Sequence, residues 1–388
     1  MKNQRRFGSL LPLGAVTAVI MLAAGVAWSQ ESEPTTTRAA MRGVFVVLSQ
    51  VYGYSMDPKV FDNPDNRAAI MSKLEALAKN ADQLESHGGG LDPSFDVMRR
   101  SLSRDAHQAL DDFKTKNYIG SRFVLGRITD NCVTCHTKLP SERQFELGEA
   151  FLDEIDAAKL PPAARANLQV AARQFPDAMQ TYEEVLKSPT MTADDLAMFD
   201  VFENYLRIST GAMNDTARPV RALQEFATRT DIPDALKADV RGWIADLQTL
   251  HLDVPVAQEL TAARHLVTDA MQKTKSHADR SQLVHFIGSI TLVHRYLRAG
   301  SHSDAETAEA YYLLGVSESY VSHSYWVSES DYLLDKSIRT APKSPVAKQA
   351  LAFLEQLHAP GNTAVIPARE VPKEWQVNME ELRNLVGN

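Results

Sequence analysis

The stretch Cys132-Val133-Thr134-Cys135-His136 decides how this chain is organised. It has the form C-x-x-C-H, which is the attachment signature of a c-type haem. On a helix, Cys132, Cys135 and His136 share one face, because residues three and four positions apart are neighbours. The thiols could then form thioether bonds with the vinyl groups of one porphyrin, and His136 could present a ring nitrogen to the iron.

Other uses of a C-x-x-C pair fit less well. The chain has 388 residues and 2 cysteines, so no cysteine remains for a disulfide or a Cys-rich zinc site. A redox-active pair would be expected in a βαβ setting, and no strand-like alternation surrounds this one. A structural zinc site would need a second ligand pair at comparable spacing. We therefore predict one covalent haem c, bound by Cys132, Cys135 and His136.

The N-terminus has the pattern of an export signal. Basic residues near the start precede an apolar stretch over 10–26, and Ala27-Trp28-Ser29 offers a small-x-small cleavage site. This pattern predicts a signal peptide over 1–29 and a periplasmic protein. The alternative is an uncleaved anchor, because the uncharged stretch between Arg6 and Glu31 is long enough to span a bilayer. The chain would meet a membrane only through that segment.

The formal net charge of −8 is unevenly distributed. Residues 30–140 contain 14 basic residues (Lys or Arg) and 14 acidic residues (Asp or Glu). Residues 141–388 contain 24 basic and 35 acidic residues. An acidic surface disfavours nucleic acid and anionic membranes as partners, and it favours a basic protein partner.

Residues 36–140 show the periodicity of amphipathic helices. Start and stop signals delimit four of them, near Thr36–Tyr52, after Asn63-Pro64 as far as Gly88-Gly89-Gly90, from Asp92-Pro93, and after Asn117. The cysteines continue the apolar stripe of the fourth helix. The haem would therefore fill the core between helices, and an all-α fold is predicted.

With these features the segment over 30–140 resembles the class II cytochromes c, the cytochrome c-prime family. That resemblance implies a four-helix bundle with C-x-x-C-H late in the last helix and the first helix on the distal side of the haem. The family usually places an aromatic and then a basic residue shortly after the motif. In this chain Leu139 and Pro140 occupy those two positions, so the basic neighbour of the haem edge is absent or is replaced by Lys138. Class I cytochromes c place the motif near the start of their domain and fit less well.

The sixth position on the iron separates two functions. The resemblance makes Met41, on the first helix, the best candidate ligand, and a ligand there favours electron transfer. Met41 could equally be a core residue. The helix register could instead place Phe45 or Leu48 over the iron, and an open position would suit a gas binder or sensor. His87 and His107 are weaker candidates and are expected at the surface.

Three arginines cluster on the third predicted helix. Arg99, Arg100 and Arg104 are expected to form a solvated face. They could alternatively contact haem propionates or a partner protein.

Residues 141–388 are predicted to be α-helical throughout, with prolines between the helices. The unit from Ala308 to Pro342 resembles a tetratricopeptide repeat, and a generic helical domain is the alternative. His285 and His294 lie on an apolar helix and are expected to be core or groove histidines. The segment contains no phosphate loop, zinc-protease motif or nucleophile elbow, so no enzymatic activity is predicted.

The sequence thus predicts an exported monohaem cytochrome that transfers electrons to a redox partner protein. The helical domain over 141–388 would dock a protein or peptide partner. A haem-based gas binder and a scaffold or assembly protein remain the alternatives.

Overall fold

The computed structural model describes residues 34–86, 93–138, 152, 160–321, 329–359 and 373–387. Within these ranges the fold is all-helical and contains no β-strand. The predicted signal peptide over 1–29, the glycine run after Ser86 and the predicted boundary at 140/141 lie outside the described residues. In the described part of the chain, no helix combines the length and the apolar character needed to cross a membrane.

The predicted helices of the first segment are present as α1, α3, α4 and α5. The elements are α1 Pro34–Ser55, α2 Pro58–Phe61, a 3₁₀ turn Pro64–Asn66, α3 Arg67–Ser86, α4 Pro93–Lys114 and α5 Tyr118–Thr137. Two of the predicted start signals act as side-chain caps. Asn63 accepts a hydrogen bond from the Asp65 amide at 2.9 Å, and Asn117 accepts one from the Gly120 amide at 3.2 Å. These bonds satisfy amides that would lack a partner at the start of a helical segment.

These helices pack in chain order, α1 against α3, α3 against α4, and α4 against α5. Together they enclose an N-terminal core that contains Leu48, Leu74, Phe113, Leu125, Ile128 and Cys132. Burial of each such Leu or Phe side chain contributes about 1.5–3 kcal/mol to folding. Cys132 thus belongs to the apolar stripe of α5, as the sequence predicted.

The remaining helices surround a second, larger core, the C-terminal core. They are α6 Pro162–Ala171, α7 Phe175–Lys187, α8 Ala193–Met198, α9 Val201–Arg207, α10 Ala217–Phe226, α11 Asp234–Thr249, α12 Val256–Lys273, α13 Leu283–Arg298, α14 Asp304–Val321, α15 Glu329–Thr340, α16 Pro345–Leu357 and α17 Lys373–Gly387. A π-helical turn, Ile208–Ala212, follows α9 directly.

The two cores meet around α5. Leu168 and Ala171 of α6 belong to the N-terminal core, whereas Val133 of α5 belongs to the C-terminal core. Helix α15 also packs against α4. The C-x-x-C-H motif therefore lies at the seam between the two cores.

The unit that resembles a tetratricopeptide repeat is a tightly packed helix pair, α14 and α15. At Gly315 the two helices come so close that an added Cβ would lie 2.8 Å from Cγ of Leu334. The Ser330 hydroxyl donates a hydrogen bond to the Gly315 carbonyl at 2.7 Å. A small residue is therefore required at 315 for this pair to pack.

Candidate haem-attachment site

The motif lies in the last two turns of α5, and Lys138 follows as its C-cap. Cys132 is buried, Cys135 is half-buried, and neither forms a disulfide. Burial raises the pKa of the Cys132 thiol to about 12 and that of the Cys135 thiol to about 11. Both thiols are therefore protonated at neutral pH, and the pair is not an activated thiolate site.

His136 is held neutral next to α6. Burial, together with the nearby positive charge of Arg173, lowers the pKa of His136 to about 4, and the backbone of Val170 and Ala171 acts in the opposite direction. Among the described residues, Nδ1 of His136 is buried and has no hydrogen-bond partner. A neutral imidazole with an unpaired nitrogen can serve as a metal ligand. These properties fit the role of an axial haem ligand.

Helix α1 runs antiparallel to the part of α5 that precedes the motif. Nε of Arg122 donates to the Ser55 carbonyl at 2.7 Å, and the Tyr52 side chain hydrogen-bonds to that of Thr129. Continuing this register towards the end of α5 brings the turn from Met41 to Phe45 level with the motif. Both of these side chains pack against the N-terminal core that also contains Cys132. Met41 therefore lies on a helix of the same core as Cys132, and its role as an iron ligand stays a prediction.

The three arginines of the predicted basic patch have different environments. The Arg99 side chain is 12% exposed, so the prediction of a solvated face is wrong at this position. Arg100 is exposed and places its guanidinium 5.4 Å from the ring centroid of Tyr332 on α15. Arg104 is 36% exposed and donates a hydrogen bond to Asp105 at 2.8 Å. Helix α4, which carries Arg99, packs against both α5 and α15.

A buried network of charges begins where the motif ends. The Lys138 ammonium group pairs with Glu329 and lies 3.6 Å from Glu318, and Arg207 donates to Glu318 at 2.6 Å. The Lys138, Glu318 and Glu329 side chains are at most 1% exposed. Lys138 is therefore engaged by the C-terminal part of the chain rather than standing as a solvated neighbour of the motif.

The pKa values of the two carboxylates in this network are shifted in opposite directions. Burial raises the pKa of Glu329, and the neighbouring Glu318 adds to this, so that its pKa is about 7 despite the Lys138 partner. Burial also acts to raise the pKa of Glu318, but Arg207 and Lys138 outweigh it and lower the value to about 2. One negative charge is thus fixed in the seam, whereas the other depends on pH.

A cavity of about 310 Å³ opens beside this network. Its wall includes Thr137 and Lys138 of the motif helix end, Arg207, and His294 and Arg298 of α13. Arg298 donates to the Lys138 carbonyl at 2.6 Å, and Arg295, also on the wall, pairs with Glu259 at 2.8 Å. The charges around the cavity are therefore largely compensated by groups of the protein itself.

His107, His285 and His294 have the environments that the sequence predicted. His107 is 50% exposed and lies 3.0 Å from Asp82, while His294 is buried in α13. His285 lies 3.5 Å from Asp246. His87 is outside the described residues.

Comparison with protein-family models, with curated proteins and with solved structures found no match. Within the described ranges, no group of three or more His, Cys, Asp or Glu side chains could hold a metal ion. A haem iron needs fewer ligands from the protein, because the porphyrin supplies the equatorial nitrogens. The covalent haem at Cys132, Cys135 and His136 stays a prediction.

Proposed function

We propose that this chain is an exported monohaem c-type cytochrome that acts in electron transfer. Cys132 and Cys135 would hold the haem by thioether bonds, and His136 would be the axial ligand. The observation that carries the proposal is the placement of these three side chains on the last two turns of one helix, at the edge of an apolar core, with His136 neutral and its Nδ1 unpaired. When bound, the haem supplies the one-electron centre.

In this proposal α1, α3, α4 and α5 are a four-helix bundle of the class II cytochrome c kind. The N-terminal core keeps water from one face of the haem site, since Leu125, Ile128 and Cys132 lie on the same buried stripe of α5. An apolar, water-poor setting limits rearrangement when the charge on the iron changes and tunes its reduction potential. Met41 would complete the coordination from α1.

The helical domain after the motif would dock the redox partner or a peptide. Its acidic excess favours a basic partner, and the α14–α15 pair supplies the repeat-like element. Association between oppositely charged proteins weakens as salt screens their charges. We expect electron transfer to a basic partner protein to slow as ionic strength rises.

The covalent haem is tested by denaturing electrophoresis of the exported protein, followed by haem staining. The full-length protein should give a stained band, and the Cys132→Ala/Cys135→Ala double variant should give none. His107→Ala, at a solvated position on α4, should stain like the wild type. An unstained wild type, or a stained double variant, would refute the proposal.

The spin state of the iron then tests the assignment to electron transfer. The absorption spectrum of the reduced protein should be low-spin if the iron is six-coordinate. A high-spin spectrum with ready carbon monoxide binding would contradict that assignment and would favour a gas-binding protein.

A further inference from the structure

Arg99 of α4 carries a charge that the described residues only partly neutralise. Its Nη2 atom forms an ion pair with Asp96. Its Nε and Nη1 atoms are buried and have no hydrogen-bond partner among the described residues. Burying donors of a charged group without partners is costly, and a buried guanidinium is normally satisfied by more than one acceptor. The arrangement indicates that an acceptor is still to be supplied.

The position of Arg99 relative to the motif follows from the pairing of α4 and α5. The Ser121 hydroxyl donates to the Ala109 carbonyl at 2.7 Å, and Asn131 donates to Asp105 at 2.8 Å. These bonds show that the two helices are antiparallel. Following the same register further, the last turn of α5 lies level with the turn of α4 that contains Arg99.

The electrostatics around Cys135 agree with this placement. Burial is the main reason that the pKa of Cys135 is raised, and the positive charges of Lys138, Arg173 and Arg99 act against it. The nearby carboxylate, Glu329, is already paired with Lys138. Two guanidinium groups, one on α4 and one in the turn between α6 and α7, therefore create a positive environment next to the attachment point.

We propose that Arg99 binds a propionate carboxylate of the attached haem through its unpaired Nη1 atom, with Arg173 contributing a second positive charge. This inference rests on the covalent haem proposed above. A hydrogen bond from a guanidinium to a carboxylate is charge-assisted, and such bonds are about twice as strong as those between neutral groups. Arg99 is then a positioning residue that also raises the reduction potential of the iron, because a nearby positive charge favours the reduced state.

The test compares Arg99→Met with Arg100→Met in the purified, haem-carrying protein. Both changes remove one arginine charge from adjacent positions, but only Arg99 is buried next to the motif. Spectroelectrochemical titration should show a more negative midpoint potential for Arg99→Met. The expected change is about tenfold in the equilibrium constant for reduction, which is ~59 mV for one electron. Arg100→Met should stay near the wild type, and Arg99→Lys should recover part of the shift.

A second measurement uses the Cys132→Ala/Cys135→Ala background, which carries no haem. There Arg99→Met removes a partly unpaired buried charge and should not lower the melting midpoint, whereas in the haem protein it should lower it. If haem is attached but Arg99→Met and Arg100→Met leave the same potential, the role of Arg99 is refuted while the covalent haem stands. An unstained wild type would instead remove the basis of both proposals.

Discussion

The side chain of Lys138, at the end of the motif helix, forms a buried ion pair with Glu329, the first residue of α15. The two residues are 191 positions apart in the chain. Glu318 and Arg207 complete the group, so that two cations and two carboxylates are enclosed in the seam between the two cores. The helix that carries the motif is thereby tied to the C-terminal part of the chain by charge as well as by apolar contact.

Replacement of Lys138 by methionine should destabilise the protein strongly. The change leaves Glu329 buried without its partner, and breaking a buried ion pair from one side costs about 3–5 kcal/mol. Urea unfolding above pH 7, where Glu329 is mostly ionised in the wild type, measures the loss. Lys114→Met, at a 48% exposed position, is the control and should change stability by less than about 1 kcal/mol.

The double variant Lys138→Met/Glu329→Gln separates the pair from other effects. It removes both charges, so most of the loss seen with Lys138→Met should be recovered. A double variant as unstable as the single one would show that the Lys138 side chain stabilises the seam by packing and not through the ion pair.

Glu329 should give the stability a dependence on pH. Its folded-state pKa of about 7 lies above the usual value of 4.5 for a glutamate, so the folded protein binds the proton more tightly than the unfolded chain does. This contribution to stability is fully present below about pH 4.5 and is lost as the pH rises through about 7. The slope approaches about 1.4 kcal/mol per pH unit.

The difference between the wild type and Glu329→Gln isolates this effect. Asp130, with a pKa raised to about 7 mainly by burial, acts in the same direction, and His136 acts in the opposite one. Asp130 and His136 both remain in the variant, so their contributions to the pH dependence of stability cancel when the two proteins are compared. Urea midpoints measured between pH 5 and 7 should fall less steeply with pH for Glu329→Gln. Parallel curves for the two proteins would argue against titration of Glu329 in this range.

A fragment of residues 141–388 should be soluble and helical by circular dichroism, because most of the C-terminal core is formed within it. It lacks Lys138 and the cover that α5 provides for α6. We therefore expect a lower melting midpoint than for the whole chain. Glu329→Gln should raise the midpoint of the fragment more than that of the whole chain. An unfolded or aggregated fragment would indicate a single continuous domain.

Met41→Ala tests the sixth iron ligand. If the Met41 thioether binds the iron, the wild type is low-spin and binds carbon monoxide weakly, and the substitution opens the site to carbon monoxide. Absorption spectra of the reduced protein with and without carbon monoxide measure the change. Val46→Ala, at a 39% exposed position of α1, is the control. A high-spin wild type that Met41→Ala leaves unchanged would remove Met41 as a ligand.

The helices that carry the motif could be predicted from the sequence, because their determinants are local. Asn63 and Asn117 act as caps where they were expected, and the stripe from Leu125 to Cys132 is buried. The burial of Lys138 and Arg99 could not be predicted in this way. A charged side chain is placed inside only by tertiary partners, and those of Lys138 lie at positions 318 and 329. The sequence contains no local sign of that pairing.

The position of α6 has a consequence for the order in which this protein can mature. The backbone of Val170 and Ala171 lies beside His136, and Leu168 and Ala171 close over the same core as Cys132. A porphyrin has to reach both thiols while this side of α5 is still uncovered. If the haem is attached as proposed, attachment must precede the docking of α6.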